Sequence, residues 1–106
     1  MESILRQLLE SRGHRVEQQL QVSGVGRVDM RIDGMLLVEV DGFAFHRDRD
    51  AFERDRARDT ALALRGMRWL RVPARQVLDH SVAAVDAVER MLGLLRREED
   101  SVREAS

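Results

Sequence analysis

The stretch at residues 28–46, VDMRIDGMLLVEVDGFAFH, limits the possible folds of this chain more than any other. Asp33-Gly34 is a strong hairpin-turn signal between two runs with strand character. On the first run Val28, Met30 and Ile32 share one face, and Asp29 and Arg31 the other. The second run, residues 35–40, is the most apolar in the chain and predicts a central strand that ends by Gly42. Turn length decides the register. A two-residue turn sets Ile32 against Met35 and an apolar Val28 against Glu39. A three-residue turn, residues 33–35, pairs Ile32 with Leu36, Met30 with Val38 and Val28 with Val40. Burial of one face selects the apolar match. We therefore expect the three-residue turn, which sets Asp29 directly across from Glu39.

Solvent-facing acids on a half-exposed sheet would be an ordinary finding, and Asp29 alone fits that reading. Glu39 and Asp41 are different, because they interrupt the most apolar strand just before Gly42 and the run Phe43-Ala44-Phe45. Burying unpaired carboxylates costs on the order of several kcal/mol unless a cation meets them. An Arg could be that cation, and so could a metal. Mg²⁺ takes oxygen ligands and keeps several waters, so Asp29, Glu39 and the backbone carbonyl of Val40 form a candidate ligand set. His46 follows at once, either as a loop histidine held by its neighbours or as a proton carrier near pH 7. His14 and His80 fall at predicted helix ends and read as surface residues.

Periodicity supplies the remaining elements. Residues 3–12 predict a helix with an Ile4, Leu5, Leu8 and Leu9 stripe, stopped by Gly13. Residues 16–22 predict a strand and residues 23–26 a turn. A helix is expected over 48–65, then a strand over 67–72 ended by Pro73. A long helix starts at Asp79 or Ser81 and buries Val82, Val85, Val88, Leu92 and Leu95. The order αβββαβα, a hairpin followed by a helical crossover, predicts an α+β fold: a mixed four-stranded sheet flanked by helices. A length of 106 residues suits one domain, expected over 1–98, with a charged and fraying tail over 99–106.

On the helix after the acids, Phe52, Asp55, Asp59 and Leu62 share a face. Arg58 and Arg71 are available partners, and the expected role of Asp55 with Arg58 is a structural network that fixes this helix to the sheet. Arg47 and Arg49, with Arg54 and Arg65 near the other face, are candidates for phosphate contacts. All 18 basic residues are Arg, and the net charge is only −1, so no gross basic excess announces nucleic acid. The absence of Cys excludes disulfides and Cys-ligated zinc. The N-terminal residues lack the apolar core of a signal peptide, and no run approaches the ~20 residues of a membrane span. The expectation is a cytoplasmic protein with no membrane contact.

Asp29, then LLVEVDGFAFH, then FERDRARDTALALRGMRWLRV, is similar to the PD-(D/E)XK restriction-endonuclease-like superfamily over about residues 2–76. Within it the chain resembles a branch of bacterial endonuclease-like domains related to very-short-patch-repair endonucleases. The resemblance implies a restriction-endonuclease-like core and a DNA phosphodiester hydrolase dependent on Mg²⁺ or Mn²⁺. Asp29 matches the motif's first Asp, a metal ligand, and Glu39 its second acid. Asp41 falls where many members have Lys. Glu2 matches an acid that many members aim at the same centre, and His46 matches the histidine tied to catalysis in the repair branch. With Lys replaced by Asp41, a second ion and proton transfer by His46 would have to take over its work.

The first functional reading is a metal-dependent endonuclease of little sequence specificity. A monomer with one such site nicks, whereas a double-strand break needs two copies or two events, so a homodimer stays open. A second reading is a non-catalytic nucleic-acid-binding module. A third is a partner-binding domain whose acids pair with Arg and hold no ion.

Overall fold

The computed structural model describes residues 2–42, 49–66 and 68–105, with the backbone alone at 49–52 and 55. The elements are α1 (Glu2–Ser11), β1 (Val16–Val22), β2 (Gly26–Ile32), β3 (Leu36–Asp41), α2 (Arg49–Leu64), β4 (Arg68–Pro73), α3 (Ala74–Asp79) and α4 (Ser81–Ala105). The four strands lie in the order β1-β2-β3-β4. The first three are antiparallel, and β4, reached through α2, runs parallel to β3. This is the expected mixed sheet flanked by helices.

The two faces of the sheet are covered unequally. Leu5 and Leu9 of α1, Val77 of α3 and Val85, Val88 and Leu92 of α4 pack with Met30, Ile32, Leu36 and Val38 in the main core. On the other face Leu62 of α2 closes over Val28 and Leu37, with Trp69, Val22 and Val25 at the margin. Alternation along β3 therefore sends Leu36 and Val38 to the main core, and Leu37, Glu39 and Asp41 toward the α2 side.

The register is the one selected by the apolar match, with Ile32 opposite Leu36 and Met30 opposite Val38. Asp33 and Gly34 both take positive φ, 52° and 70°, and Met35 N–H donates to the Ile32 carbonyl at 3.0 Å. Gly at the second position and Asp at the first are the residues that tolerate this backbone.

Some expectations are corrected. Val28 does not share a face with Met30 and Ile32, because it packs with Leu37 and Leu62. The alternation breaks between Val28 and Met30, at Asp29, and Gln19 on β1, between the pairs Gln18–Met30 and Leu20–Val28, has a φ of 52°. Pro73 ends β4 but also sits at the N-cap of α3, an added short helix that buries Ala74 and Val77. Val82 is exposed, and Ala84 is buried. Val82 lies six residues before Val88, roughly a third of a turn around the helix from it. The segment expected to fray is exposed helix, continuous with α4 as far as Ala105. His14 is no surface residue, since only 11% of its side chain is exposed. Among the described residues no helix is long and apolar enough to cross a membrane.

Candidate active site at the end of β3

Beyond the Met30–Val38 pair, β2 stops exchanging backbone hydrogen bonds with β3 in the regular way. Asp29 takes over with its side chain: the Val40 N–H donates to Asp29 Oδ2 at 2.9 Å. A carboxylate thus replaces a strand carbonyl, and Asp29 is fixed against β3 beside Glu39. Asp29 is thereby held next to Glu39, but the direct pairing expected from the register, with Val28 opposite Val40, is not formed.

Two arginines meet the acids. Arg58, one helical turn before Leu62 on α2, brings Nη2 within 2.6 Å of Glu39 Oε1, and it also donates to the carbonyl of Arg27. Arg71, the parallel partner of Glu39 on β4, places Nε 3.3 Å from Asp41 Oδ2. Its guanidinium lies over the Trp69 ring, 4.6 Å from the centroid. Arg58 therefore has an acid partner on the sheet in Glu39. The side chain of its expected partner Asp55 lies outside the described residues, as does that of Arg49. His46 and Arg47 lie outside the described residues altogether.

Glu39 is only 13% exposed, and its pKa is raised above the ordinary 4.5. Burial is the main cause. Arg58 and Arg71 pull the value down, while Asp29 and Asp41 push it further up. Glu39 Oε1 accepts no well-aligned hydrogen bond despite the nearby Arg58 charge, and Arg58 Nε is likewise buried with no acceptor among the described residues. The pair is a charge contact, not a fitted fork. Such incompletely met buried charge is unusual in a structural network and common where chemistry is done.

The donors suit a hard divalent cation. Asp29, Glu39 and the Val40 carbonyl all offer oxygen donors, and Glu39 Oε1 is a buried oxygen without a hydrogen-bond donor. Among the described residues no group of three His, Cys, Asp or Glu surrounds one point. An ion here would rest on two carboxylates, a carbonyl and water, which is the usual manner of Mg²⁺.

Glu2 reaches this region indirectly. Gln19 Nε2 donates to Glu2 Oε1 at 2.6 Å, and Gln19 falls between the Gln18–Met30 and Leu20–Val28 pairs, the interval that holds Asp29 on β2. Sequence reasoning missed Gln19. Its left-handed backbone, rare for a residue with a Cβ, is its distinguishing mark, and nothing in VEQQLQV signals it.

A mixed sheet between helices, with paired acids at the end of an interior strand, is the frame of a nuclease-like domain. The family model REase_MTES_1575 matches residues 1–92, and the chain belongs to this restriction-endonuclease-like family. Membership points to nuclease chemistry on DNA, in a family that typically uses divalent metals. No curated protein matches the chain, and no solved structure does.

Proposed function

We propose that the chain is a divalent-metal-dependent DNA endonuclease that nicks duplex DNA with little intrinsic sequence specificity. One observation carries this reading: the Asp29 carboxylate is pinned by the Val40 N–H at 2.9 Å, beside a half-buried Glu39 whose Oε1 is left without a fitted hydrogen bond. Asp29, Glu39 and the Val40 carbonyl would hold Mg²⁺ or Mn²⁺. Such an ion supplies a more acidic bound water and neutralises charge on the scissile phosphate. The chain's own residues do the rest. Asp29 is oriented by the Val40 N–H of β3. Asp41, held by Arg71, keeps a further carboxylate at the strand end. His46 carries a proton, and Arg47 and Arg49 grip flanking phosphates, which fixes position without reading sequence. The likeness of residues 39–46 to the very-short-patch-repair branch supports the role given to His46.

Supercoiled plasmid tests this with Mg²⁺, Mn²⁺ or chelator, for wild type, Asp29→Ala, Glu39→Ala and His46→Ala. Metal-dependent nicking lost in the variants is expected. Equal nicking by wild type and Glu39→Ala would overturn the assignment.

The Arg58–Glu39 contact, 2.6 Å, favours one other reading, a non-catalytic DNA-binding module whose acids are met by Arg. That reading predicts DNA retention that survives loss of Glu39 and of metal. In either case binding through phosphates falls steeply with salt.

A further inference from the structure

We propose that Arg58 occupies the metal's place on Glu39 until a divalent cation displaces it, and that the freed guanidinium then takes a phosphate oxygen of the DNA. The inference rests on the metal-site reading above and deepens it.

Arg71 makes a charge contact with Asp41 at 3.3 Å and is backed by the Trp69 face at 4.6 Å. Arg58 touches Glu39 Oε1 with one nitrogen, Nη2, which also meets the Arg27 carbonyl. Its Nε is buried without an acceptor among the described residues, and Glu39 Oε1 gains no aligned hydrogen bond from the contact. A guanidinium normally meets a carboxylate with two parallel N–H groups. Here it meets one oxygen through one end. Arg58 thus offsets the charge of Glu39 only in part, and a better cation can replace it.

Charge balance links the replacement to DNA binding. Asp29, Glu39 and Asp41 against Arg58 and Arg71 leave one net negative charge. A divalent ion turns this to one net positive charge, and a phosphodiester then restores neutrality. In this proposal the ion takes Glu39 Oε1, the buried oxygen that Arg58 now covers. Arg58 remains tethered on α2 beside the same strand end, so its rigid fork of donors is released next to the place where a phosphate would sit. Asp41 cannot donate in this way, and Arg71 is already engaged.

The test measures Mn²⁺ binding from the electron paramagnetic resonance of free Mn²⁺, without DNA and without turnover, for wild type, Arg58→Met, Arg58→Lys and Glu39→Gln. A second arm measures retention of a short duplex in Ca²⁺ by fluorescence anisotropy. Arg58→Met is expected to bind Mn²⁺ about tenfold tighter and the duplex about tenfold weaker, with Arg58→Lys in between on both scales. If Arg58→Met does not fold, Arg58→Lys is read alone against wild type, with the same signs expected. Unchanged or weaker Mn²⁺ binding on loss of Arg58, with binding still abolished in Glu39→Gln, would overturn the displacement and leave the metal site standing. Equal Mn²⁺ binding by wild type and Glu39→Gln would overturn the metal site itself.

Discussion

At the turn end of β3, His14 lies between Asp33 and Glu89, with Nδ1 2.7 Å from one carboxylate and Nε2 2.9 Å from the other. At the opposite end Glu39 lies beside Arg58 and Arg71, and one of its oxygens is buried with no fitted donor. Both groups are sheltered from water, at 11% and 13% exposure. At His14 every group is answered. Two carboxylates facing both ring nitrogens favour the doubly protonated ring, in line with a pKa raised above 6.5. Arg12 joins Glu89 and Asp86, Arg96 reaches Asp33 at 3.0 Å, and the Arg15 N–H donates to Asp33 at 2.8 Å. That clasp ties the end of α1, the β2–β3 turn and α4 into one unit. The Glu39 cluster ties α2 to the sheet less completely. A satisfied network holds a fold, whereas a partly satisfied one keeps charge available for a ligand.

The comparison can be broken most forcefully at Glu39. Glu39→Ala and Asp29→Ala are each expected to lower metal-dependent nicking by on the order of a thousandfold, several kcal/mol of transition-state stabilisation, with the fold retained by circular dichroism. An unfolded Glu39→Ala would mean that this cluster too is structural.

At the other end the signs reverse. His14→Ala leaves Asp33 and Glu89 without their shared donor, and should cost about 2–3 kcal/mol in urea unfolding, with nicking per folded molecule unchanged. A loss within experimental error would remove the distinction between the two clusters.

A smaller effect is the pH dependence of stability. Burial alone would lower the His14 pKa, but the hydrogen bonds to Glu89 and Asp33 carry it above the ordinary 6.5. Its stabilisation is therefore complete below pH 6.5 and is lost as pH rises through the folded value. Glu89 is lowered from 4.5 by the hydrogen bonds of His14 and Arg12. Asp33 is lowered from 3.8, since His14 and the Arg15 N–H outweigh its burial. Their contribution is present above those ordinary values and is lost as pH falls through the depressed ones. The stability gap between wild type and His14→Gln should thus be widest near pH 5–6 and close as the solution turns alkaline. A gap that widens above pH 7 would contradict the charged clasp.

Much of the frame was legible from residues 28–41, because one turn and one apolar match select the register that pairs Ile32 with Leu36 and Met30 with Val38, although the match does not extend to Val28 and Val40. The same reasoning brought Asp29 beside Glu39. It did not reveal the broken alternation at Asp29, because VDMRI alternates perfectly and the break coincides with a side-chain bond to the Val40 N–H that no local pattern signals. Arg58 and Arg71 were expected as partners for helix acids, but their links to Glu39 and Asp41 depend on how α2 lies across the sheet, which no local period encodes. His14 looked superficial because a histidine after Gly13 has no periodic signal, and both of its partners are distant in sequence. Helix α3 was missed because six residues after a proline are too few to set a period.

On the proposed reading, Glu39 is kept ionisable in a sheltered place for a metal and not for the fold. Its folded pKa lies above 4.5, so its ionisation opposes folding increasingly as pH rises through that folded value. Thermal melting at pH 7.5 of wild type and Glu39→Gln, each in chelator and in Mn²⁺, tests this directly. Glu39→Gln should melt above wild type in chelator, and Mn²⁺ should raise the Tm of wild type alone, by mass action on the folded state. A Glu39→Gln variant that melts below wild type in chelator, with Mn²⁺ acting equally on both, would contradict the account.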